Sequence, residues 1–494
     1  MIGLYPADDV RAAEEPLLAA TPEGALMQRA ATGLATVCVR LLGRVYGRRV
    51  ALLVGSGNNG GDALFAGAML AGRGARVTAV LLDRGKAHEA GLAALRRACG
   101  QVLDAGTGGA MLAIARADLV LDGMVGIGGR GALRPAAAEL ARAAADGAGI
   151  TLAVDVPSGV DASTGAIDGE AFAAMHTVTF GAVKLGLVVG GGRAAAGVVH
   201  LIDIGLGPYL PPARAFQFSD ADVADRLEPP CGNDDKYSQG VVGVVAGSAS
   251  YPGAGVLCTG AALRTRPGLV RYAGTAADGV RAAWPEAIVT AGRPGAAGRV
   301  QAWVVGPGMG TDDDARSRLS DVLATDRPVV VDADALTMAA EDPAMLRTRG
   351  APTVLTPHDR EFARFGVEPG SDRVAAVRRL AADLGVVVLL KGEATVVADP
   401  AGTVYVNGTG TPWLATAGTG DVLSGITGAL LATHEATGLP AAEAAAMAAH
   451  LHGRAGQLAA EHGPLIAGDL VRRLPEAVGR VRGAWAGGLG DSGA

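Results

Sequence analysis

The segment Thr416-Ala417-Gly418-Thr419-Gly420-Asp421-Val422-Leu423-Ser424-Gly425 carries the residues best suited to chemistry. Small residues lead into an apolar helix, so backbone N–H groups at its start form an anion hole for a phosphoryl group in transfer. Asp421 stands beside that hole, placed to take a proton from an attacking hydroxyl. The structural alternative is an aspartate that caps a core helix after a glycine turn. Lys391-Gly392-Glu393-Ala394-Thr395 follows a β-branched run and suits nucleotide phosphates. Thr356-Pro357-His358-Asp359-Arg360-Glu361-Phe362 follows another, which makes His358 either a substrate contact or an ordinary polar residue. Residues 306–310 and 331–336 end two further strands, and 248–255 follow the first. No GxxxxGK[ST] loop occurs, which excludes a P-loop enzyme.

A second set lies nearer the start. Strand 49–54 runs into Gly55-Ser56-Gly57-Asn58-Asn59-Gly60-Gly61-Asp62, and a helix follows. The glycines match a GxGxxG fingerprint formally, and the next strand ends at Asp83, near where a ribose-binding carboxylate sits in dinucleotide enzymes. A tight strand-to-helix turn explains the glycines equally. The helix start suits phosphate, while the amides of Asn58 and Asn59 add oxygen ligands for a monovalent cation. Asp155, in Val154-Asp155-Val156-Pro157-Ser158-Gly159-Val160-Asp161-Ala162-Ser163-Thr164-Gly165, ends a buried strand or merely caps its turn. Asp122-Gly123-Met124-Val125-Gly126-Ile127-Gly128-Gly129-Arg130 repeats the pattern of strand, aspartate and glycine loop. Three such loops at three strand ends converge on one crevice in an open α/β sheet. Lys184 either joins them or is solvated.

Positioning these loops requires parallel sheets. Strands are expected at 49–54, 76–82, 118–122, 150–154, 177–180 and 198–204, with helices at 62–71, 88–98 and 135–145. Strands at 241–246, 301–305, 328–332, 353–355, 386–390, 394–398 and 403–407 follow, with helices at 253–263, 371–384, 421–433 and 441–460. This alternation implies α/β domains with sheets covered on both faces. The proline-containing stretch 208–231 reads as a linker between domains at 1–207 and 232–486, and Gly-rich 487–494 as a flexible tail.

Composition narrows the function. Hydrophobic residues form 49% of the 494, ample for buried cores. A net charge of −6 with no basic stripe argues against nucleic acid. Four scattered cysteines without a CxxC pair point to a reduced, cytoplasmic protein with no cysteine metal site. Asp8, Asp9, Glu14 and Glu15 leave no apolar core for a signal peptide. The uncharged stretch 237–263 is broken by Gly247-Ser248-Ala249-Ser250-Tyr251-Pro252-Gly253, so no membrane span is expected.

Residues 1–207 resemble the YjeF N-terminal domain, the NAD(P)H-hydrate epimerase. The likeness rests on Asn58–Asp62, the Asp155 loop, the run from Thr177 through Lys184 to Leu187, and Leu26-Met27-Gln28-Arg29-Ala30. Residues 232–494 resemble the YjeF C-terminal domain, the ADP- or ATP-dependent NAD(P)H-hydrate dehydratase of the ribokinase-like superfamily, through the motifs around Lys391, His358 and Asp421. The resemblance implies a Rossmann-like parallel α/β/α sandwich followed by a ribokinase-like α/β domain. It implies a K⁺ site at Asn59, Asp122 and Ser158. Hydrate-binding positions in the first half would be Asn58, Asn59, Gly60, Gly61, Asp62, Gly126, Ile127, Gly128, Gly129, Arg130, Gly131, Ala132 and Asp155. In the second, Ala254, Gly308, His358 and Asp421 fall on hydrate-binding positions, and Lys391, Gly392, Glu393, Ala394, Thr395 and Gly420 on nucleotide-binding ones.

The expected catalytic groups are Asp155 and Asp421, with Mg²⁺ and ADP or ATP in the second half. The substrates would be NADHX and NADPHX, and a homo-oligomer is expected. Departures from the family pattern are Ala63 for a common glycine, and Gly126-Ile127-Gly128 for Gly-Thr-Gly, which removes a hydroxyl. Asp359-Arg360 stands where Pro-Gly is common, and Asn233-Asp234-Asp235-Lys236-Tyr237-Ser238-Gln239-Gly240 differs from the usual His-Lys-Gly-rich form. The rival readings are a ribokinase-like small-molecule kinase with a regulatory ligand-binding first half, a non-enzymatic scaffold, and a Rossmann dehydrogenase.

Overall fold

The computed structural model describes residues 1–227, 232, 235–266, 268–290 and 292–488. Pro229-Pro230 of the expected linker, Asn233-Asp234, and 489–494 of the expected tail lie outside the described residues. The chain divides into two units, Gly3–Ala215, and Phe216–Ala494 with Met1–Ile2.

In the first unit, apolar runs such as Val50-Ala51-Leu52-Leu53-Val54 are buried along their whole length, as strands covered on both faces must be. Seven strands pair in parallel in the order Gln101–Asp104, Arg76–Leu81, Arg49–Val54, Leu119–Gly123, Ile150–Val154, His176–Phe180, Val198–Ile202. Alternate side chains feed opposite cores. Leu52 and Val54 pack with Leu34 and Cys38 of helix Ala25–Leu42 and Leu64 of helix Asn58–Gly72. Ala51 and Leu53 pack with Ile114 of Gly108–Ala115 and Leu140 of Pro135–Ala145. The result is an α/β/α sandwich. Strand order reverses between Arg49–Val54 and Leu119–Gly123, and a crevice opens at such a switch point. The loops there touch closely enough that a Cβ on Gly55 would lie 1.8 Å from the Met124 carbonyl oxygen.

The second unit repeats the α/β logic. Ile288–Val289, Leu269–Tyr272, Val241–Val245, Ala302–Val305, Val329–Val331, Thr353–Leu355 and Val387–Leu390 pair in parallel, in that order. Val396–Ala398 and Val404–Val406 continue antiparallel. Helices Pro252–Thr265, Thr419–Leu431, Ala441–Ala459 and Ala467–Gly488 contribute Cys258, Ile426, Leu451 and Leu474 to a core that includes Val242, Val244 and Val304. Among the described residues, no helix is long and apolar enough to cross a membrane.

Residues 208–231, read from the sequence as a linker, contain strand Ala215–Gln217 and helix Asp220–Arg226. Ser219 and Asp222 form a capping box there, and Val223 and Leu227 enter the second core. Prolines 208, 211 and 212 mask that short amphipathic helix in the sequence. Gly487 and Gly488 end a helix that begins at Ala467.

Leu52 is fully buried in the first sheet. Leu52→Ala removes three carbons from a close-packed site and is expected to cost about 2–5 kcal/mol, read as a lower urea midpoint.

Candidate active sites at the strand ends

In a parallel sheet all carboxyl ends lie on one edge, so each unit gathers its loops there. In the first, Asp122 is fully buried at the end of its strand. It accepts hydrogen bonds from the Ser158 hydroxyl (2.7 Å), the Ser158 amide (2.8 Å) and the Met124 amide (3.1 Å). Burial still pushes its carboxyl up to about 6, against the pull of those bonds. Asn59 packs on Gly126, where an added Cβ would meet its amide oxygen at 3.1 Å. Asn59, Asp122, Ser158 and the Gly126 loop are therefore brought together. The Asn59 amide nitrogen and one Asp62 carboxylate oxygen are buried without a hydrogen-bond partner. Burial, then the charges of Asp155 and Glu14, holds the Asp62 carboxyl well above the usual range. Arg130, Gly131 and Ala132 lie exposed at the far end of their loop.

Asp155 adopts a left-handed backbone (φ 66°), a strained conformation for a residue with a side chain. One carboxylate oxygen accepts from Lys184 Nζ (2.6 Å), Thr179 Oγ1 (3.2 Å) and the Phe180 amide (3.3 Å). Lys184 is only 1% exposed and also donates to Thr179 Oγ1 (3.1 Å) and the Phe180 carbonyl (2.9 Å). It is a buried partner of Asp155, not a solvated lysine.

In the second unit, Gly418 takes a left-handed turn (φ 86°) into helix Thr419–Leu431. The Thr419 amide bonds the Thr416 carbonyl, and the next two amides, of Gly420 and Asp421, have no helical acceptor behind them. His452 holds this turn by donating Nε2–H to the Thr419 carbonyl (2.9 Å); burial lowers its ring to about 4, so it bonds as the neutral form. Lys391 Nζ bonds Asp332 (3.0 Å), lies 3.8 Å from Glu361, and stands 3.5 Å from where a Gly420 Cβ would be. Burial works against its charge, but Asp332 and Glu361 outweigh that and hold it above the usual lysine range. Ser424 donates to the other Asp332 oxygen (2.7 Å). Burial and the neighbouring Asp332 push the Asp421 carboxyl up to about 7, with Lys391 pulling the other way.

The remaining residues singled out from the sequence sort as follows. Ala254 and Gly308 meet: a Gly308 Cβ would lie 2.8 Å from that of Ala254. His358 caps helix Asp359–Ala363, its Nδ1 accepting from the Arg360 and Glu361 amides at 3.1 and 3.2 Å, with the side chain half exposed. Gly392 faces Arg373, whose guanidinium pairs with Asp359 and bonds the Lys391 carbonyl. Glu393 is exposed, and Ala394 is buried.

Two family models match the chain in order. One, described as YjeF-related protein N-terminus, matches residues 23–186; the other, described as NAD(P)H-hydrate dehydratase, matches 242–476. The bifunctional NAD(P)H-hydrate repair enzyme of Mycobacterium leprae is 52% identical over 489 residues, covering 98% of this chain and 99% of its own. The chain belongs to the bifunctional NAD(P)H-hydrate repair enzymes. The Mycobacterium tuberculosis member is 54% identical over 447 residues, 90% of this chain and 91% of its own. Among solved structures, the ADP/ATP-dependent NAD(P)H-hydrate dehydratase of Bacillus subtilis, co-crystallized with ATP and Mg²⁺, is 30% identical with a TM-score of 0.48; the match covers 53% of this chain and 97% of that one.

Sequence reasoning left Lys184 open in this repair enzyme and passed over Asp332, Glu361, Ser424 and His452 as site groups. A usable signal existed for Lys184: it is the lone charge in the run from Val178 to Val189. A charge in such a run is buried, and a buried charge needs a partner. Lys184→Met leaves Asp155 buried and unpaired and is expected to destabilise the protein by about 3–5 kcal/mol. Adding Asp155→Asn to that variant is expected to restore part of the loss, measured as a double-mutant cycle in urea.

Proposed function

We propose that the first unit interconverts the R and S hydrates of NADH and NADPH with Asp155 as its proton relay. The second unit then removes water from the S hydrate, with ADP or ATP as phosphoryl donor. Family membership supports the pair of activities. The observation that carries the residue assignment is Asp421, poised at about 7 beside the free amides of its helix start and the Lys391 ammonium.

The hydrate carries a hydroxyl on the carbon next to the ring nitrogen, and hydroxide leaves poorly. Asp421 takes the hydroxyl proton as the oxygen attacks the donor's terminal phosphorus, and the rest of the nucleotide departs. Gly420, the Asp421 amide and Lys391 stabilise the charge on the transferred group. The ring nitrogen lone pair then expels phosphate, and loss of a proton from the adjacent carbon restores the dihydropyridine. In the first unit, Lys184 fixes Asp155 at the strand end, where it relays protons as the hydroxyl leaves and returns. Asn58, Asn59, Gly60, Gly61 and Asp62, at a helix start, suit the substrate's phosphates.

Asn59, Asp122 and Ser158 offer oxygen donors, and Asp122 is buried with no cationic partner among the described residues, so the set fits K⁺. That ion would supply positive charge toward substrate phosphates. Around Asp421, the carboxylates of Asp332, Asp334 and Glu361 outnumber Lys391. This acidic surplus fits Mg²⁺, which takes one or two carboxylates plus phosphate oxygens and neutralises developing charge. The free thiols of Cys38, Cys99 and Cys258 support a reducing, cytoplasmic setting. The small-molecule kinase reading is not favoured, because the likeness to repair enzymes spans both halves.

With the full chain and pure S hydrate, Asp421→Asn is expected to slow dehydration at least about 10²-fold while epimerisation keeps its wild-type rate. The wild-type dehydration rate is expected to rise with pH toward a plateau above about 7, because the base must be ionised. An Asp421→Asn protein that dehydrates as fast as wild type overturns the assignment.

A further inference from the structure

Epimerisation needs proton handling on two faces of the ring. The hydroxyl leaves one face as water, taking a proton from an acid while the ring nitrogen lone pair forms a C=N⁺ bond. Water returns to the other face and gives a proton to a base. Asp155, held by Lys184, is one such group.

A second carboxylate lies within electrostatic range of Lys184 and Asp155, on an element outside the strand-end loops. Strand Ile2–Tyr5 pairs in parallel with Val183–Lys184, placing Tyr5 beside Lys184, and helix Ala7–Ala19 starts two residues later. The Ala7 amide donates to Ser163 Oγ (2.9 Å), in the loop that follows Asp155. One helical turn on, Arg11 donates to the Ile127 carbonyl (2.8 Å), in the Gly126 loop. Glu14 is the next residue on this face, at seven from Ala7 and three from Arg11. The face is thus tied to both site loops, and Glu14 lies along it, half-buried. Its carboxylate makes no hydrogen bond among the described residues.

We propose that Glu14 is a second acid–base group of the epimerase site, working with Asp155 on the leaving and returning water. The inference rests on the epimerase reading above. The charged groups felt at Glu14 fit the role. Burial holds its carboxyl above the usual glutamate range, with Lys184 and Arg11 pulling down and Asp155 pushing up. Asp62, in turn, is raised partly by Glu14. A carboxyl so placed holds or releases a proton closer to neutrality than a solvated glutamate does. Its neighbour Glu15 is exposed and serves as a control.

The test follows R-to-S conversion by the full chain without nucleotide, with the spontaneous rate subtracted, across a pH series. Glu14→Gln is expected to lower kcat about 10²-fold with KM within about threefold, and to flatten the pH profile. Glu14→Asp is expected to recover part of the rate, and Glu15→Gln to match wild type. Dehydration of pure S hydrate, measured on the same preparations, is expected to stay at the wild-type rate in all three. A Glu14→Gln enzyme with the wild-type rate and pH profile overturns the inference, as does a change confined to KM. If Glu14→Gln loses both activities through misfolding, Glu14→Asp decides: a folded variant with unaltered rate and profile overturns the proposal. Loss of epimerisation in Asp155→Asn but not in Glu14→Gln sinks only this inference. Absence of epimerisation in the wild type sinks the reading beneath it.

Discussion

Each half of the chain anchors a lysine on an aspartate at the carboxyl end of a parallel strand: Lys184 on Asp155 and Lys391 on Asp332. Removing such a pair from water is costly, and the attraction repays it only when further hydrogen bonds complete the geometry. Both pairs have them. Thr179 and Phe180 complete the first, and Ser424 completes the second. The pairs give little net stability. What they give is a defined direction to groups that would otherwise rotate or neutralise, and the strand ends of each unit are arranged around them.

The chemistry follows from what these lysines leave unbalanced. Burial raises the carboxyls that these lysines do not pair, and neighbouring carboxylates add to it: Asp62 and Glu14 in the first unit, Asp421 in the second. A group that both holds and releases a proton near neutral pH is what proton transfer requires. Asp421 gains an electrophilic neighbour as well, because the helix that carries it begins with amides that have no internal acceptor.

The parts of this legible in the sequence are those that local chemistry dictates. Wholly apolar runs such as 50–54 and 387–390 announce central parallel strands, and the glycine turns before Asn58 and Asp421 announce helix starts. Short strands carry no such mark. Gln101–Asp104 is four residues long and half exposed, and Leu269–Tyr272 and Ile288–Val289 are similarly brief. Asp332 was visible as a strand-end residue, but its bonds to Lys391 and Ser424 join positions 59 and 92 residues apart, which no local pattern encodes. His358 shows another limit: its motif marks the residue but does not show that Nδ1 caps helix Asp359–Ala363 while the rest of the ring stays half exposed.

The central claim is that two strand-end sites in one chain act in sequence on the same damaged nucleotide. Its most direct test gives the wild-type protein a mixture of both hydrate epimers with excess nucleotide, and follows dihydronicotinamide absorbance and free phosphate together. The account predicts that both epimers disappear, with one phosphate released for each dihydronicotinamide formed. Accumulation of a stable phosphorylated product, or a reaction that halts with one epimer untouched, would contradict it.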